Sequence, residues 1–322
     1  MKILVTGSAG HLGEALVRTL QAMPGMAAVG VDRLDSPFTH ATGPITDRGF
    51  VRGCVVGVDA VLHAATLHKP HVVTHTKQDF VDTNVTGTLA LLEAAVDAGV
   101  RAFVFTSTTS VFGMALRPPV DTPAVWVTEA LQPVPRNVYG VTKAAAEDLC
   151  ELFHRQHALP CVVLRTSRFF PEEDDDEAMR GAYEGANLKA NELTYRRVDV
   201  ADVVAAHLNA LERAASIGFD RLIVSATTPF LPTDAAELRS DAPAVLDRRA
   251  PGWRAAYAGA GWRMLQGIDR VYDNARARNV LGWRPRYDFR HVLDCLQAGT
   301  HCTSALARAV GYKGYHRGNH GG

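Results

Sequence analysis

The stretch Lys2-Ile3-Leu4-Val5-Thr6-Gly7-Ser8-Ala9-Gly10-His11-Leu12-Gly13 decides the fold of this chain. A short apolar strand runs into three glycines with the spacing Gly-x-x-Gly-x-x-Gly, and a helical pattern opens on the last of them. In this geometry the glycines allow a tight turn, close approach of the backbone to a pyrophosphate, and close packing of helix on strand. The unpaired N–H groups and the helix dipole attract the anion. The stretch therefore predicts a dinucleotide-binding βα unit, although the polar side chains beside the glycines, Thr6, Ser8 and His11, could simply satisfy the turn.

A second strand ends in Asp32, about 20 residues past the glycines. A carboxylate in this position accepts hydrogen bonds from an adenosine ribose and repels a 2′-phosphate. The sequence therefore predicts NAD rather than NADP as the cofactor, with Arg33 softening the discrimination.

Strands and helices alternate up to Arg165, which predicts an α/β fold with a doubly wound parallel sheet. The strand Val58–Ala65 ends in small residues. Because ligands bind outside the carboxyl ends of such strands, we expect Ala64 and Ala65 to lie beside the cofactor. Three more elements follow in order: a helix from Gln78 to Ala98, a strand Arg101–Ser107 that leads into a run of hydroxyls, and a helix beginning near Tyr139.

The alternation ends after Arg165. We expect an irregular segment from the acidic run Glu172–Glu177 to about Tyr195, then a helix from Asp199 and a strand at 221–224. These patterns predict an NAD-binding Rossmann domain over 1–165 and about 199–227, and a smaller substrate lobe over 166–198 and about 228–322. We assign Trp253, Trp262 and Trp283 to the core of the lobe, and expect the glycine-rich tail from Gly311 to be loosely held.

Composition narrows the function. The 322 residues include 34 Lys and Arg and 34 Asp and Glu, so no net field favours nucleic acid or an anionic membrane. Five cysteines without C-x-x-C spacing indicate a reducing cytoplasm. No apolar run approaches the ~20 residues of a membrane helix.

His68, His71 and His75 could ligate a metal, but no carboxylate or cysteine completes a site, so we expect loop or substrate contacts and no metal.

Tyr139-Gly140-Val141-Thr142-Lys143 places a phenol and an ammonium on one face of a helix. A free tyrosine titrates near 10, too high for a base at neutral pH. A nearby lysine and an oxidised nicotinamide would both lower the pKa of the phenol, and Lys143 could also bind the nicotinamide ribose.

Together these motifs resemble the extended short-chain dehydrogenases/reductases of the NAD-dependent epimerase/dehydratase kind. The resemblance covers nearly the whole chain through the glycine pattern and six further motifs: His63-Ala64-Ala65, Asn84-Val85-x-Gly87-Thr88, Ser107-Thr108-Thr109-Ser110-Val111-Phe112-Gly113, Tyr139-x-x-x-Lys143, Asp199-Val200-Ala201-Asp202 and Leu281-Gly282-Trp283-Arg284-Pro285.

The resemblance implies a catalytic trio. Thr108 would hold a substrate hydroxyl or carbonyl, Tyr139 would move its proton, and Lys143 would tune Tyr139. With the patterns above, it predicts cofactor contacts from Gly7, Gly10, His11, Leu12, Gly13, Asp32, Arg33, Ile45, Ala64, Ala65, Ser107, Tyr139, Lys143 and Thr166, and substrate contacts from His68, Lys69, Thr109 and Arg168.

Three positions depart from the family pattern. Pro44 stands where the family often has an Asp that binds the adenine amino group. The resemblance therefore implies an adenine contact only from the backbone of Ile45. Thr109 and Ser110 replace the Asp-Glu pair with which sugar 4,6-dehydratases remove water. Arg168 stands in a segment where the family usually has Asn; it would bind a substrate carboxylate or phosphate, or pair with the nearby acidic run.

The resemblance favours an NAD-dependent epimerase of a sugar or nucleotide sugar. A dehydrogenase or reductase of a hydroxyl-bearing metabolite and a catalytically silent NAD-binding regulatory protein are the alternatives. Arg270 and Arg276 are candidate pyrophosphate ligands for a nucleotide sugar. Surplus apolar residues on the helices at 78–98 and 139–156 predict a homodimer, which the resemblance also implies.

Overall fold

Nine strands form two sheets in a computed structural model of the protein, which describes residues 1–172 and 176–313. In chain order they are β1 (Lys2–Thr6), β2 (Ala27–Asp32), β3 (Ala41–Thr42), β4 (Ala60–His63), β5 (Ala102–Thr108), β6 (Val125–Val127), β7 (Cys161–Thr166), β8 (Phe219–Val224) and β9 (Arg270–Tyr272). Seven of them make one sheet in the order β3-β2-β1-β4-β5-β7-β8, with every neighbouring pair parallel. The predicted doubly wound α/β fold is confirmed.

Helices connect these strands. They are α1 (His11–Gln21), α2 (Arg48–Cys54), α3 (Lys77–Phe80), α4 (Gly87–Asp97), α5 (Val138–His157), α6 (Glu177–Ala182), α7 (Gly185–Leu193), α8 (Val200–Ile217), α9 (Ala235–Leu238), α10 (Ala242–Arg249), α11 (Trp253–Ala260), α12 (Ala275–Leu281), α13 (Phe289–Ala298) and α14 (Ala305–Val310). A π-helical segment, Val81–Thr86, joins α3 to α4, so the predicted helix at 78–98 is continuous but locally widened. Such insertions are frequent at functional sites.

Two cores cover the faces of the large sheet. Helices α1, α8, α12 and α14 pack on one face, and α2, α4 and α5 pack on the other. Because both faces are covered, strands such as β4, β5 and β7 are buried along their length and read as apolar runs without alternation.

The turn after β1 has the geometry that its glycines predict. Gly7 has a φ of +75°, and a Cβ on Gly13 would lie 1.9 Å from the carbonyl oxygen of Gly7. Any side chain at Gly13 would therefore push α1 away from the turn, and with it the N–H groups at the start of the helix.

A third core lies in the smaller lobe. Helices α7, α9, α10, α11 and α13 enclose it, and the parallel pair β6 and β9 lies beside it. Trp253 is buried in this core and Trp262 packs against it.

Several sequence-based expectations are wrong. The segment 177–193 is not irregular, because Asp176 caps α6 and α7 follows almost directly. Trp283 packs in the core between α8 and the sheet instead of the lobe, and its Nε1–H donates to the carbonyl oxygen of Asp202 at 3.0 Å. Helices α12 and α14, which the predicted boundaries give to the lobe, also pack on the Rossmann side. The boundaries themselves stay a prediction.

The structure describes only part of the acidic run Glu172–Glu177 and of the glycine-rich tail from Gly311. Glu173–Asp175 and the residues after Lys313 lie outside the described residues. Glu172 is buried and Asp176 is a helix cap, and residues 311–313 contact α1. None of the helices in residues 1–172 and 176–313 is long and apolar enough to span a membrane.

Candidate active site

A cavity of about 1450 Å³ lies along the carboxyl edge of the large sheet. The residues that follow β1, β2, β4, β5 and β7 line it, as do the start of α1 and the turn before α5. It is larger than the several hundred Å³ of an ordinary ligand pocket. Every predicted cofactor, catalytic and substrate residue lines this cavity except Lys143 and the candidate pyrophosphate ligand Arg276.

The start of α1 fits an anion. Gly10 is the N-cap of this helix and has no side chain with which to cap it. The N–H groups of the first turn, at His11, Leu12 and Gly13, are therefore available at the cavity wall. These residues suit the pyrophosphate of a dinucleotide.

Asp32 lies at the far end of the cavity. One of its carboxylate oxygens accepts from the backbone N–H of Ala9 at 3.0 Å and the other from Leu34 at 3.0 Å. Each oxygen keeps a lone pair for a ribose hydroxyl. Arg33 and Ile45 line the cavity nearby, so the predicted adenosine end is assembled at one place.

Buried hydrogen bonds support the end of β4, where Ala64 and Ala65 line the cavity. The His63 ring contacts the hydroxyls of Thr6 at 2.7 Å and Thr88 at 2.9 Å. Burial, with a smaller effect of Lys143, holds the pKa of His63 well below its usual value. His63 is thus a neutral structural residue that links β1, β4 and α4.

Thr108 and Tyr139 both line the cavity, and the Thr108 side chain lies close enough to the phenol to influence its pKa. Thr108 lies at the end of β5 and accepts from the N–H of Ser110 at 3.1 Å, while Tyr139 lies in the first turn of α5. Burial raises the pKa of Tyr139 to about 12, and the Thr108 side chain opposes this shift. The phenol of the chain alone is therefore a proton donor.

Lys143 lies behind the cavity wall and is buried. Its ammonium donates to the carbonyl oxygen of Thr106 at 2.6 Å and lies 3.9 Å from the centroid of the Phe105 ring. Burial lowers the pKa of Lys143 to about 7, and Glu147 opposes the shift. Because Lys143 is not among the residues that line the cavity, the predicted ribose contact stays a prediction. In the chain alone, burial thus dominates the pKa of Tyr139, and the predicted lowering by Lys143 and an oxidised nicotinamide stays a prediction.

Ser107 points away from the predicted cofactor contact. Its hydroxyl donates to Glu147 at 2.5 Å, and the Glu147 carboxylate also pairs with Arg165 at 2.6 Å. Its carbonyl oxygen accepts from the Thr166 hydroxyl at 3.0 Å. This buried group joins β7 to β5 and α5, the two elements that carry the predicted catalytic residues.

The predicted substrate residues share one wall of the cavity. His68 stacks on Phe170 with ring centroids 5.3 Å apart, and its centroid lies 4.3 Å from that of His71. Burial, aided by His75 and Arg33, lowers the pKa of His71 to about 4. Lys69, Thr109 and Arg168 also line the cavity. Among the described residues no group of three or more His, Cys, Asp or Glu is arranged to hold a metal ion.

Some lining residues have no signal in the sequence motifs. Arg117 and Arg136 flank the turn at Gly113, which meets Val134 in an isolated bridge, and Lys313 reaches the start of α1. Arg270 lines the cavity and pairs with Asp269 at 2.8 Å. Arg276, the other predicted pyrophosphate ligand, instead pairs with Asp220 and is not among the lining residues. Of these residues, Arg136 could have been found from the sequence, because it lies only three residues before Tyr139.

Positive charge prevails on the described walls of the cavity. Eight lysines and arginines line it, against five carboxylates: Arg33, Lys69, Arg117, Arg136, Arg168, Arg196, Arg270 and Lys313, against Asp32, Asp79, Asp82, Asp176 and Asp269. This balance favours anionic ligands.

A family model agrees with this fold and site. The model of the NAD dependent epimerase/dehydratase family matches residues 3–224, from β1 to the end of β8. The chain belongs to the NAD-dependent epimerase/dehydratase family. The predicted resemblance is confirmed, and the family's description agrees with the predicted enzyme class and NAD cofactor. The match ends before most of the lobe, so the family alone does not define the substrate.

Individual proteins show how far the likeness extends. A UDP-glucose 4-epimerase of Rhizobium leguminosarum bv. trifolii is 28% identical over 90% of this chain and 94% of its own length. A dTDP-glucose 4,6-dehydratase of Actinoplanes sp. is 32% identical over 54% of this chain. The chain spans only 60% of the length of such curated relatives. A short-chain dehydrogenase/reductase superfamily protein of Agrobacterium tumefaciens, solved with bound NAD, is 24% identical with a TM-score of 0.65, covering 96% of this chain and 97% of its own. This last likeness shows the fold.

Proposed function

We propose that the chain is an NAD-dependent epimerase that acts on a sugar or nucleotide sugar. The observation that carries the proposal is the placement of Thr108 and Tyr139 together at the cavity, which the start of α1 also lines. A silent binding protein would need the start of α1 and Asp32 but not this pair.

The roles of the chain's residues follow from their placement. Thr108 would hold the reacting hydroxyl of the substrate, and Tyr139 would exchange its proton with that oxygen. A bound NAD would supply the hydride acceptor and donor for the carbon that carries the hydroxyl, while Thr108 and Tyr139 would hold and protonate its oxygen. The raised pKa of Tyr139 suits the return step, in which a protonated phenol gives its proton back to the carbonyl oxygen. Oxidation requires the phenolate, which the positive charge of an oxidised nicotinamide would favour.

Cavity size and charge support a nucleotide sugar. A volume of about 1450 Å³ exceeds the upper range of ordinary ligand pockets, about 1,000 Å³, which suits two large ligands held together. The excess of lysine and arginine suits phosphates, and the epimerase relative is named for a UDP-sugar.

A dehydratase reaction is disfavoured despite the dehydratase relative. The residues directly after Thr108 are Thr109 and Ser110, and neither is an acid or base strong enough to remove water. Thr109 is buried, and the N–H of Ser110 bonds back to Thr108. No carboxylate follows the catalytic threonine as the dehydratase pattern requires.

The test uses purified protein, NAD and a panel of sugars and UDP-sugars, beginning with UDP-glucose and UDP-glucuronic acid. Proton NMR would follow inversion at carbon, and absorbance at the reduced nicotinamide band would follow NADH. We expect inversion without net NADH, and loss of inversion in Tyr139→Phe with NAD affinity kept. Stoichiometric NADH would instead identify a dehydrogenase, and NAD binding without turnover across the panel would favour a regulatory protein.

Assembly and location complete the proposal. Val81 and Val141 are exposed on the π-helical segment and on α5, and Val85, Leu89 and Leu149 are half-buried. This apolar ridge supports a homodimer formed by these helices and their symmetry mates. Five free cysteines support a cytoplasmic location.

A further inference from the structure

The chain's last described residues, Gly311–Lys313, lie against the start of α1, the helix that fits the cofactor pyrophosphate. The His11 Nε2 atom contacts the carbonyl oxygen of Gly311 at 2.6 Å. Since a carbonyl oxygen only accepts, Nε2 carries the hydrogen. The backbone N–H of Lys313 donates to Glu172 at 3.2 Å, and the Lys313 ammonium pairs with Glu14. We call this segment the tail contact.

Glu14 poses an electrostatic difficulty for cofactor binding. It follows Gly13 directly, in the first turn of α1, and is only 3% exposed. A carboxylate there stabilises the helix dipole but repels a pyrophosphate bound at the same helix end. Burial weakens the screening of that repulsion by water, so it exceeds the repulsion between surface charges.

Two cations neutralise Glu14 from different sides. Arg18 contacts one carboxylate oxygen at 2.7 Å from the next turn of the helix, and Lys313 contacts the other oxygen. Lys313 lines the cavity whereas Arg18 does not. The lysine thus supplies its charge on the side from which the cofactor approaches, and it comes from nearly 300 positions away in the chain.

We propose that Lys313 is a cofactor-positioning residue, which neutralises Glu14 from the cavity side so that the start of α1 can bind the pyrophosphate of NAD. The inference rests on NAD binding in the site proposed above. The tail contact would then be part of the cofactor site. When the lysine is removed, the Glu14 carboxylate should oppose the binding of NAD.

A purely mechanical role makes the opposite prediction. If the Lys313–Glu14 pair served only to anchor the tail, loss of either partner would weaken the contact equally. Under charge neutralisation, loss of Lys313 leaves a bare carboxylate, whereas loss of the Glu14 charge removes the repulsion itself. The two single variants should then change NAD affinity in opposite directions, or Glu14→Gln should leave it unchanged.

The experiment titrates full-length wild type, Lys313→Met, Glu14→Gln and the double variant by calorimetry with NAD, ADP-ribose and adenosine. For NAD and ADP-ribose we expect Lys313→Met to weaken binding about five- to twentyfold, consistent with one buried like charge at several ångströms. Glu14→Gln should bind at least as tightly as wild type, and the double variant should be within about twofold of Glu14→Gln. Adenosine, which lacks phosphate, should bind all four within about twofold.

Lys2→Met is the matched control. Lys2 is the first residue of β1, so it lies at the amino end of the strand and not at the carboxyl end that lines the cavity, and its ammonium donates to the carbonyl oxygen of Val56. It should bind NAD as wild type does, and thermal unfolding would confirm that each variant folds. Equal losses in Lys313→Met and Glu14→Gln, or equal losses for NAD and adenosine, would overturn the role of Lys313. Wild type that does not bind NAD would overturn the proposed cofactor site as well, which distinguishes the two failures.

Discussion

The Lys143 ammonium and the carbonyl oxygen of Thr106 lie 2.6 Å apart, behind the wall of the cavity that Tyr139 lines. Lys143 is therefore buried on α5, the helix that also carries Tyr139, and does not itself line the cavity. Since burial moves the pKa of Lys143 to about 7 and that of Tyr139 to about 12, both side chains are biased towards their neutral forms. Because a bound oxidised nicotinamide would add a positive charge near the phenol, we expect cofactor binding to favour loss of the Tyr139 proton.

The first prediction concerns the pH dependence of stability. Lys143 has a pKa of about 7 in the folded chain against about 10.4 when unfolded. Between these values the unfolded chain binds the extra proton, so stability rises with pH. Lys143→Met should therefore stabilise the protein relative to wild type at pH 7.5, and this advantage should shrink towards pH 9.5. Urea unfolding without added NAD measures both values.

The control for this prediction is Lys77→Met, which removes an exposed ammonium from the first turn of α3. Its difference from wild type should not change over the same pH range. A Lys143→Met advantage that is absent, or that grows with pH, would show that the folded protein favours the charged lysine.

The sequence predicted the sheet well because its strands are buried on both faces and its turns carry glycine. The contacts it missed are long-range. Lys313 meets Glu14 across nearly the whole chain, and no local pattern in a glycine-rich tail predicts a partner at the start of α1. Trp283 was misplaced because an apolar ring fits either core, and only the packing of α12 and α8 decides. The direction of the Lys143 ammonium depends on burial and on its bond to the carbonyl oxygen of Thr106. The Y-x-x-x-K spacing gives no information about either.

Asp32 should determine the choice between NAD and NADP. Its carboxylate is held by the N–H groups of Ala9 and Leu34 at the cavity's adenosine end, so a 2′-phosphate would meet a fixed negative charge. Wild type should bind NAD more tightly than NADP, and Asp32→Asn should shift the ratio towards NADP by about tenfold or more, since Arg33 is adjacent. Calorimetric titration of both cofactors measures this. Tighter NADP binding by wild type would contradict the assignment.

Glu147 should be essential for stability, although it does not line the cavity. It is 1% exposed and accepts from Ser107 and Arg165, which are buried as well. Glu147→Gln leaves the Arg165 guanidinium buried without its counter-charge and should cost about 3–5 kcal/mol in the free energy of unfolding. The neighbouring variant Asp148→Asn removes an exposed partner of Arg221 and should cost much less. Comparable losses in the two variants would mean that Arg165 finds another partner.

The final prediction concerns the homodimer. Val141 is 53% exposed on α5, one turn before the half-buried Ala145 and two before the half-buried Leu149, and Val81 is exposed on the neighbouring π-helical segment. A crossover helix needs one apolar face against its sheet, and on α5 this face is formed by residues such as Ala146, Cys150 and Phe153, with the half-buried Leu149 packed against the same core. The outward residues therefore form a second apolar face, which is stable in water when a partner covers it.

Light scattering at micromolar concentration should give twice the 34.8 kDa of one chain for wild type. Val141→Glu would place a charge at the centre of the proposed contact and should shift the protein to monomers, because a carboxylate buried without a partner is strongly unfavourable. Leu231→Glu is the matched control, since Leu231 is 47% exposed near the lobe and lies off this ridge. It should remain a dimer. A wild-type mass of a single chain, or dimers that persist in Val141→Glu, would place the contact elsewhere or exclude it.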